Sequence, residues 1–172
     1  ALLNLGEIQR VLQMLLDEGV PIRDLVRIFE ALSLRAKTNQ DPENLVEAVR
    51  ASLGPAIASP YLSNGTLHAL TLDPLLEQGL LQAIRPAETG TYLSLEGNRV
   101  ESLTANLLML SEMAEQRGET PVLVCSGHLR APLRKLLRLT VPRVPVLAFG
   151  ELGDNANVET IGVVDVAHAP VV

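Results

Sequence analysis

Through the first third of the chain, apolar positions recur with the period of amphipathic helices. Ile8, Val11, Leu12, Leu15 and Leu16 fall on one face, Asn4 with Glu7 has the pattern of a capping box ahead of them, and Gly19 supplies a stop. Pro21 suits the first turn of a second helix whose inner face is expected at Ile22, Leu25, Val26, Phe29 and Leu32. Asp41-Pro42 predicts a cap and a first-turn proline for a third helix through Leu45, Val46, Val49 and Leu53, ended by Gly54-Pro55. Pro60 and Asn64-Gly65 then mark a connection.

From about residue 66 the pattern alternates between strand and helix. A strand through Leu70 and Leu72 runs into Asp73-Pro74 and a helix to about Ile84, and a second strand is expected at Tyr92, Leu93 and Leu95. Asn98 and Glu101 suit a capping box for the next helix, whose stripe is Val100, Leu103, Leu107, Leu110 and Ala114. Pro121 to Cys125 reads as a strand covered on both faces, Ser126 as the cap of a helix carrying Leu129, Leu133, Leu136 and Leu137, and Val144 to Phe149 as a further buried strand. Ile161 to Val164 is one more extended piece before a loose tail through Ala167 and His168. The expected fold is therefore α+β to α/β: a helical subdomain over 1–62, then a small α/β subdomain with a mostly buried sheet over 63–172. Leu12, Leu16, Val26 and Phe29 are the expected core of the first; Leu107, Val122, Val124, Leu133 and Val146 that of the second.

Composition narrows what such a fold can do. Hydrophobic residues make up 47% and charged residues 20%, which excludes a disordered chain. There is no Trp, with two Phe and two Tyr, so the core rests on aliphatic side chains and little remains for stacking bases or sugars. A formal net charge of −6 disfavours nucleic acid as a partner. A winged-helix reading of the three helices and following strand meets the same objection, since Arg23 and Arg27 on the second helix are offset by Asp24 and Glu30. No apolar run approaches the roughly 20 residues of a membrane-crossing helix, and the N-terminus lacks signal-peptide order. The single Cys125 suits a reducing compartment. Ala1 stands almost at a helix start, as in a piece of a longer chain.

The sharpest enzymatic lead is Val122 to Pro132. A thiolate at a strand end, followed by the amides of an opening helix and an arginine, is how Cys-dependent phosphatases hold and attack a phosphate. The spacing from Cys125 to Arg130 is one residue short of that loop, and Asp154 and Asp165 are the acids to hand, so a buried structural cysteine is the favoured reading. His68, His128 and His168 share no ligand spacing, and Ser126 with His128 lie too close in sequence for a catalytic contact. Neither GxGxxG nor GxxxxGK[ST] occurs, so no cofactor or metal is expected. Arg130, Arg134 and Arg138 stand four apart on one helix, with Lys135 and Arg143 nearby. They form either a solvated cationic face or a docking stripe for an acidic partner.

The segment from Leu5 to Leu32 resembles the helix pair of the type III secretion export-gate family. DPENLVEAVRASLGPAI from Asp41, LTLDPLLEQ from Leu70, VLVCSGHLRAPLRKLL from Val122 and VPVLAFGEL further on follow the family's order. The closing IGVV at Ile161 and the strand-end cysteine are more similar to its flagellar branch than to its injectisome branch. The resemblance implies the third and fourth subdomains of the cytoplasmic part of a bacterial inner-membrane protein, with no enzymatic activity. The implied partners are export chaperones, their substrates, soluble export components and neighbouring subunits of a ring. It also implies that the main chaperone groove belongs to subdomains preceding Ala1.

Overall fold

The computed structural model describes residues 2–154 and 156–165, so His168 and the expected tail lie outside the described residues. The chain divides into two compact units, Ala1–Ile57 and Ala58–Val172.

The first unit is helical: α1 (Leu5–Asp17), α2 (Leu25–Arg35), α3 (Pro42–Ser52) and the start of the short α4 (Gly54–Ala58). The capping box is present, with Glu7 N–H donating to Asn4 Oδ1 at 2.8 Å and Asn4 N–H to Glu7 Oε2 at 3.0 Å. At the other end of α1, Gly19 takes φ +73°, and the amides of Gly19 and Val20 donate back to Leu16 and Leu15, a Schellman closure that a β-carbon would strain. Asp41 caps α3 and Pro42 opens it, as the sequence suggests. Pro21 does not open α2: Asp24, three positions later, caps that helix. The buried stripes are Val11 and Leu15 of α1, Ile28, Leu32 and Ala36 on α2, and Leu45, Val46 and Val49 of α3. Arg50, itself buried, donates from Nη1 to Glu18 Oε2 at 3.3 Å and ties α3 to the end of α1.

Three of the four core residues expected here are exposed. Leu16, Val26 and Phe29 face outward and Leu12 is half-buried. In α1 the buried positions, Val11 and Leu15, belong to the expected face, and Leu12 and Leu16 stand one residue, about 100° of helical rotation, further round. In α2, apolar residues occur on more than one face, and contact with α3 rather than periodicity decides which side is buried. Phe29 instead lines a surface hollow of about 310 Å³ with Leu2, Leu3, Ile8 and Leu32.

The second unit is built around β2 (Thr66–Leu72). β1 (Leu62–Ser63) folds back onto it through Asn64-Gly65, whose φ values of 51° and 79° make a tight antiparallel hairpin where the sequence suggested only a connection. β5 (Val122–Cys125) and β7 (Asn157–Val164) pair with β2 in parallel, and β6 (Val146–Ala148) pairs in parallel with β5. β3 (Ile84–Pro86) and β4 (Thr91–Leu93) form a separate antiparallel ribbon, so Tyr92 and Leu93 do not join the main sheet. β2, β5 and β6 are buried or half-buried as expected, whereas most of β7 is exposed.

Helices α5 (Pro74–Gln82), α6 (Gly97–Gln116) and α7 (Gly127–Leu137) supply the other half of the core. Leu76, Leu80, Leu103, Leu107, Leu129, Leu133 and Leu137 pack with Leu70, Leu72, Leu123 and Val146 of the sheet. The α6 stripe is as expected, but its cap is not: the helix begins after Glu96, and Asn98 Oδ1 accepts from Arg99 instead. All five core residues expected in this unit are buried. Gly162 lies where β7 slips register between Ala69 and Leu70 of β2, and a β-carbon there would sit 3.0 Å from Leu70 Cδ2.

Leu107 is 0% exposed, so Leu107→Ala should cost about 2–5 kcal/mol in denaturant unfolding. Val26→Ala, at an exposed site, should stay within about 0.5 kcal/mol. The reverse order would mean that the two helix faces are misassigned.

Candidate functional site

The segment that carried the sequence's chemical leads runs from the end of β5 into α7. Cys125 closes the strand with its side chain fully buried. The amide of Ser126 donates to Glu77 Oε2 at 3.4 Å, so the opening of α7 faces a carboxylate from α5, a group that disfavours a bound anion. Arg130 is 0% exposed and points inward. Its Nη1 donates to the Val146 carbonyl at 3.4 Å, and its Nε lies 4.0 Å from Oε1 of Glu151, which is 1% exposed. The same Glu151 oxygen accepts from the Ala148 amide at 2.8 Å. Thiol and guanidinium therefore belong to the interior and do not open a phosphate cradle to solvent.

This arrangement corrects the expected stripe of three solvated arginines. α7 packs against β6 and β4, so a row at i, i+4, i+8 passes from inside to outside: Arg130 is buried, Arg134 half-buried and Arg138 exposed. Lys135 donates to the Thr91 carbonyl at 2.7 Å, fastening the ribbon β3–β4 to the helix. Arg143 lies 3.5 Å from Glu115 on α6. Glu151 was missed in the sequence, although a carboxylate just after the apolar run Val144 to Phe149 is the kind of residue that needs an internal partner.

The other titratable cluster lies where β2, β7 and the end of α6 meet. His68 Nε2 is 3.7 Å from Glu159 Oε2, its partner in register. Arg117 makes two 3.1 Å bonds to Glu119. The hydrogen bond from Arg117, reinforced by the charges of Arg117 and His68, holds the Glu119 carboxyl below its ordinary range. His128 stands at the opening of α7, apart from His68 on β2. Among the described residues, no group of three His, Cys, Asp or Glu side chains is placed to hold a metal ion. The helices α1–α3 form their own compact unit, and the strands that follow build the α/β sheet rather than the wing of a DNA-binding module.

A helical unit followed by an aliphatic α/β unit, with its sequence-marked cysteine and arginine turned inward, is a scaffold whose surfaces remain for interaction. The FHIPEP family profile matches residues 1–157, and the chain belongs to that family. It is 37% identical over 165 residues to the flagellar biosynthesis protein FlhA of Bacillus subtilis, covering 95% of this chain and 24% of that protein. It is 30% identical over 154 residues to the invasion protein InvA of Salmonella typhimurium, covering 90% and 22%. In structure it is similar to the nonameric EscV cytosolic domain from the type III secretion system, with a TM-score of 0.77 and 31% identity over 94% of this chain and 48% of that one. The chain thus spans about a quarter of the curated relatives it matches, and flagellar and invasion relatives both lie within reach of it.

Glu151→Ala would take the Glu151 carboxylate away from the buried Arg130 guanidinium and the Ala148 amide, and should cost about 3–5 kcal/mol. Arg130→Met combined with Glu151→Leu removes both charges and should cost less than Glu151→Ala alone. Denaturant unfolding of the two variants checks this; a neutral Glu151→Ala would show that the pair does not hold α7 to the β6 end.

Proposed function

We propose that this chain is a non-enzymatic docking module in the cytosolic part of a type III protein export gate, on the flagellar side of the family. The observation that carries the reading is the match, over nearly the whole chain, to a cytosolic domain from a type III secretion system. The higher identity to the flagellar relative than to the invasion relative supports the flagellar side. In this reading the helical and α/β units correspond to the third and fourth cytosolic subdomains. Its partners are export chaperones with their substrates, soluble export components and neighbouring subunits, the last supported by the nonameric state of EscV.

Of the arginine row, Arg138 is the exposed member and the one assigned here to an acidic partner; Arg130 serves the fold. Exposed ion pairs contribute about 0–1 kcal/mol each, so their effect belongs mainly to association rate and its salt dependence.

Segment exchange tests the function. The corresponding segment of Bacillus subtilis FlhA is replaced by this chain, and secretion of flagellar proteins and motility are scored. Export well above that of a strain lacking the segment is expected. A chimera that is folded and membrane-inserted yet exports nothing would contradict the reading. Arg138→Glu in the working chimera should lower export without loss of folded protein.

A further inference from the structure

β7 is the longest strand of the sheet, and among the described residues β2 is its one strand neighbour. Among the described residues its outer edge presents backbone donors and acceptors along this eight-residue strand, most of which is exposed. Proteins usually blunt such an edge with lysine, proline, a bulge or a covering element, and of these β7 has the bulge before Gly162. Here Asn157–Val164 contains neither lysine nor proline.

The helix beside this edge is also unusual. Asn106 of α6 accepts from the Asp165 amide at 3.0 Å, and Leu110 approaches Gly162, so α6 runs along β7. Helical spacing carries this flank of α6 on to Met113, with Met109 beside it, and these two methionines are 48% and 49% exposed. On β7, His68–Glu159 pairing and the Gly162–Leu110 approach place Glu159 and Gly162 on the α6 side. Alternation about the bulge then puts Val158, Thr160 and Val163 on the opposite side, all exposed. The free edge is thus bordered by flexible apolar side chains above and by β-branched ones below.

We infer that this edge is a strand-docking groove, which takes an extended segment of a partner protein as an added strand beside β7. The occupant follows from the groove's chemistry. Unpaired strand backbone selects an extended chain, and apolar borders on both sides select alternating apolar side chains. Glu119 is taken up by Arg117, whereas Glu159 on the edge strand itself is 65% exposed beside His68, so the complementary segment carries a basic residue there. Methionines accommodate varied apolar side chains, which fits a groove that reads shape and backbone more than one sequence. The inference rests on the docking reading above and names a surface and partner chemistry for it.

The test uses the 172-residue chain, isotope-labelled for NMR, titrated with the capped peptide KVTVTVTV. Chemical-shift changes and slowed amide exchange confined to β7 and the Met109–Met113 flank of α6 are expected. Met109→Lys with Met113→Lys should weaken binding by about tenfold or more. Leu139→Lys, at an exposed leucine just past the end of α7, should leave it unchanged. No binding at about 1 mM peptide, or shifts centred elsewhere, would overturn the proposal. So would protection of β7 that appears without peptide and grows with protein concentration, because the occupant would then be a second copy. Failure here with successful segment exchange would remove the groove and keep the export function; failure of the exchange alone would do the reverse.

Discussion

The α/β unit depends on the pairing of β2. β1 folds back on its first residues, β5 takes its later ones and β7 follows it throughout, while Leu70 and Leu72 anchor the layer of α5, α6 and α7. Burial of the strand on the helical face sets the register of everything attached, because a one-residue slip would turn the leucines away from that core. The bulge opposite Ala69 and Leu70, at which β7 presents Gly162, is where this register is adjusted to let α6 lie close. With almost no aromatic residues, the unit reaches its density through repeated leucine contacts between three helices and one sheet.

The same construction separates interior chemistry from surface function. α7 is held at both ends, by Arg130 with Glu151 on the β6 side and by Lys135 on the ribbon. A buried ion pair is weak as net stabilisation, since desolvation offsets most of the attraction, but it strongly disfavours arrangements that separate its partners. Its structural effect is to fix the strand end at Ala148 and the turn carrying Phe149, which is itself exposed. Residue types that elsewhere serve catalysis serve position here, and the surfaces proposed for contact, the outer half of α7 and the outer edge of β7, lie away from this interior.

Much of this was legible in the sequence where one physical signal dominated. Asn4 with Glu7, Asp41-Pro42, Asp73-Pro74 and the apolar run Val122 to Cys125 each have a local meaning that tertiary context did not override. The α6 stripe was legible because Val100, Leu103, Leu107, Leu110 and Ala114 keep one helical spacing, although Leu108, Met109 and Met113 are exposed elsewhere on the helix. α2 was not, because Leu25, Val26, Phe29 and Leu34 are apolar and exposed, so periodicity alone could not identify the side that meets α3. The arginine row failed for a related reason. Spacing shows that three side chains align, but not that the row runs from the core to solvent, and Glu151 lies 21 positions from Arg130, beyond any local pattern. The family resemblance supplied order along the chain and not these contacts. The free edge of β7 is a property of strand order, invisible until β2, β5 and β6 are arranged.

If the protein works through its exterior, amide hydrogen exchange across the chain within an assembled export-gate ring, with and without a soluble export component bound, tests that most directly. Changes in protection should fall on the exposed half of α7 or on β7 and the adjoining flank of α6, with Val122 to Arg130 unaltered. Changes centred on Cys125 and Arg130, with the outer surfaces unaffected, would contradict the account and return function to the interior.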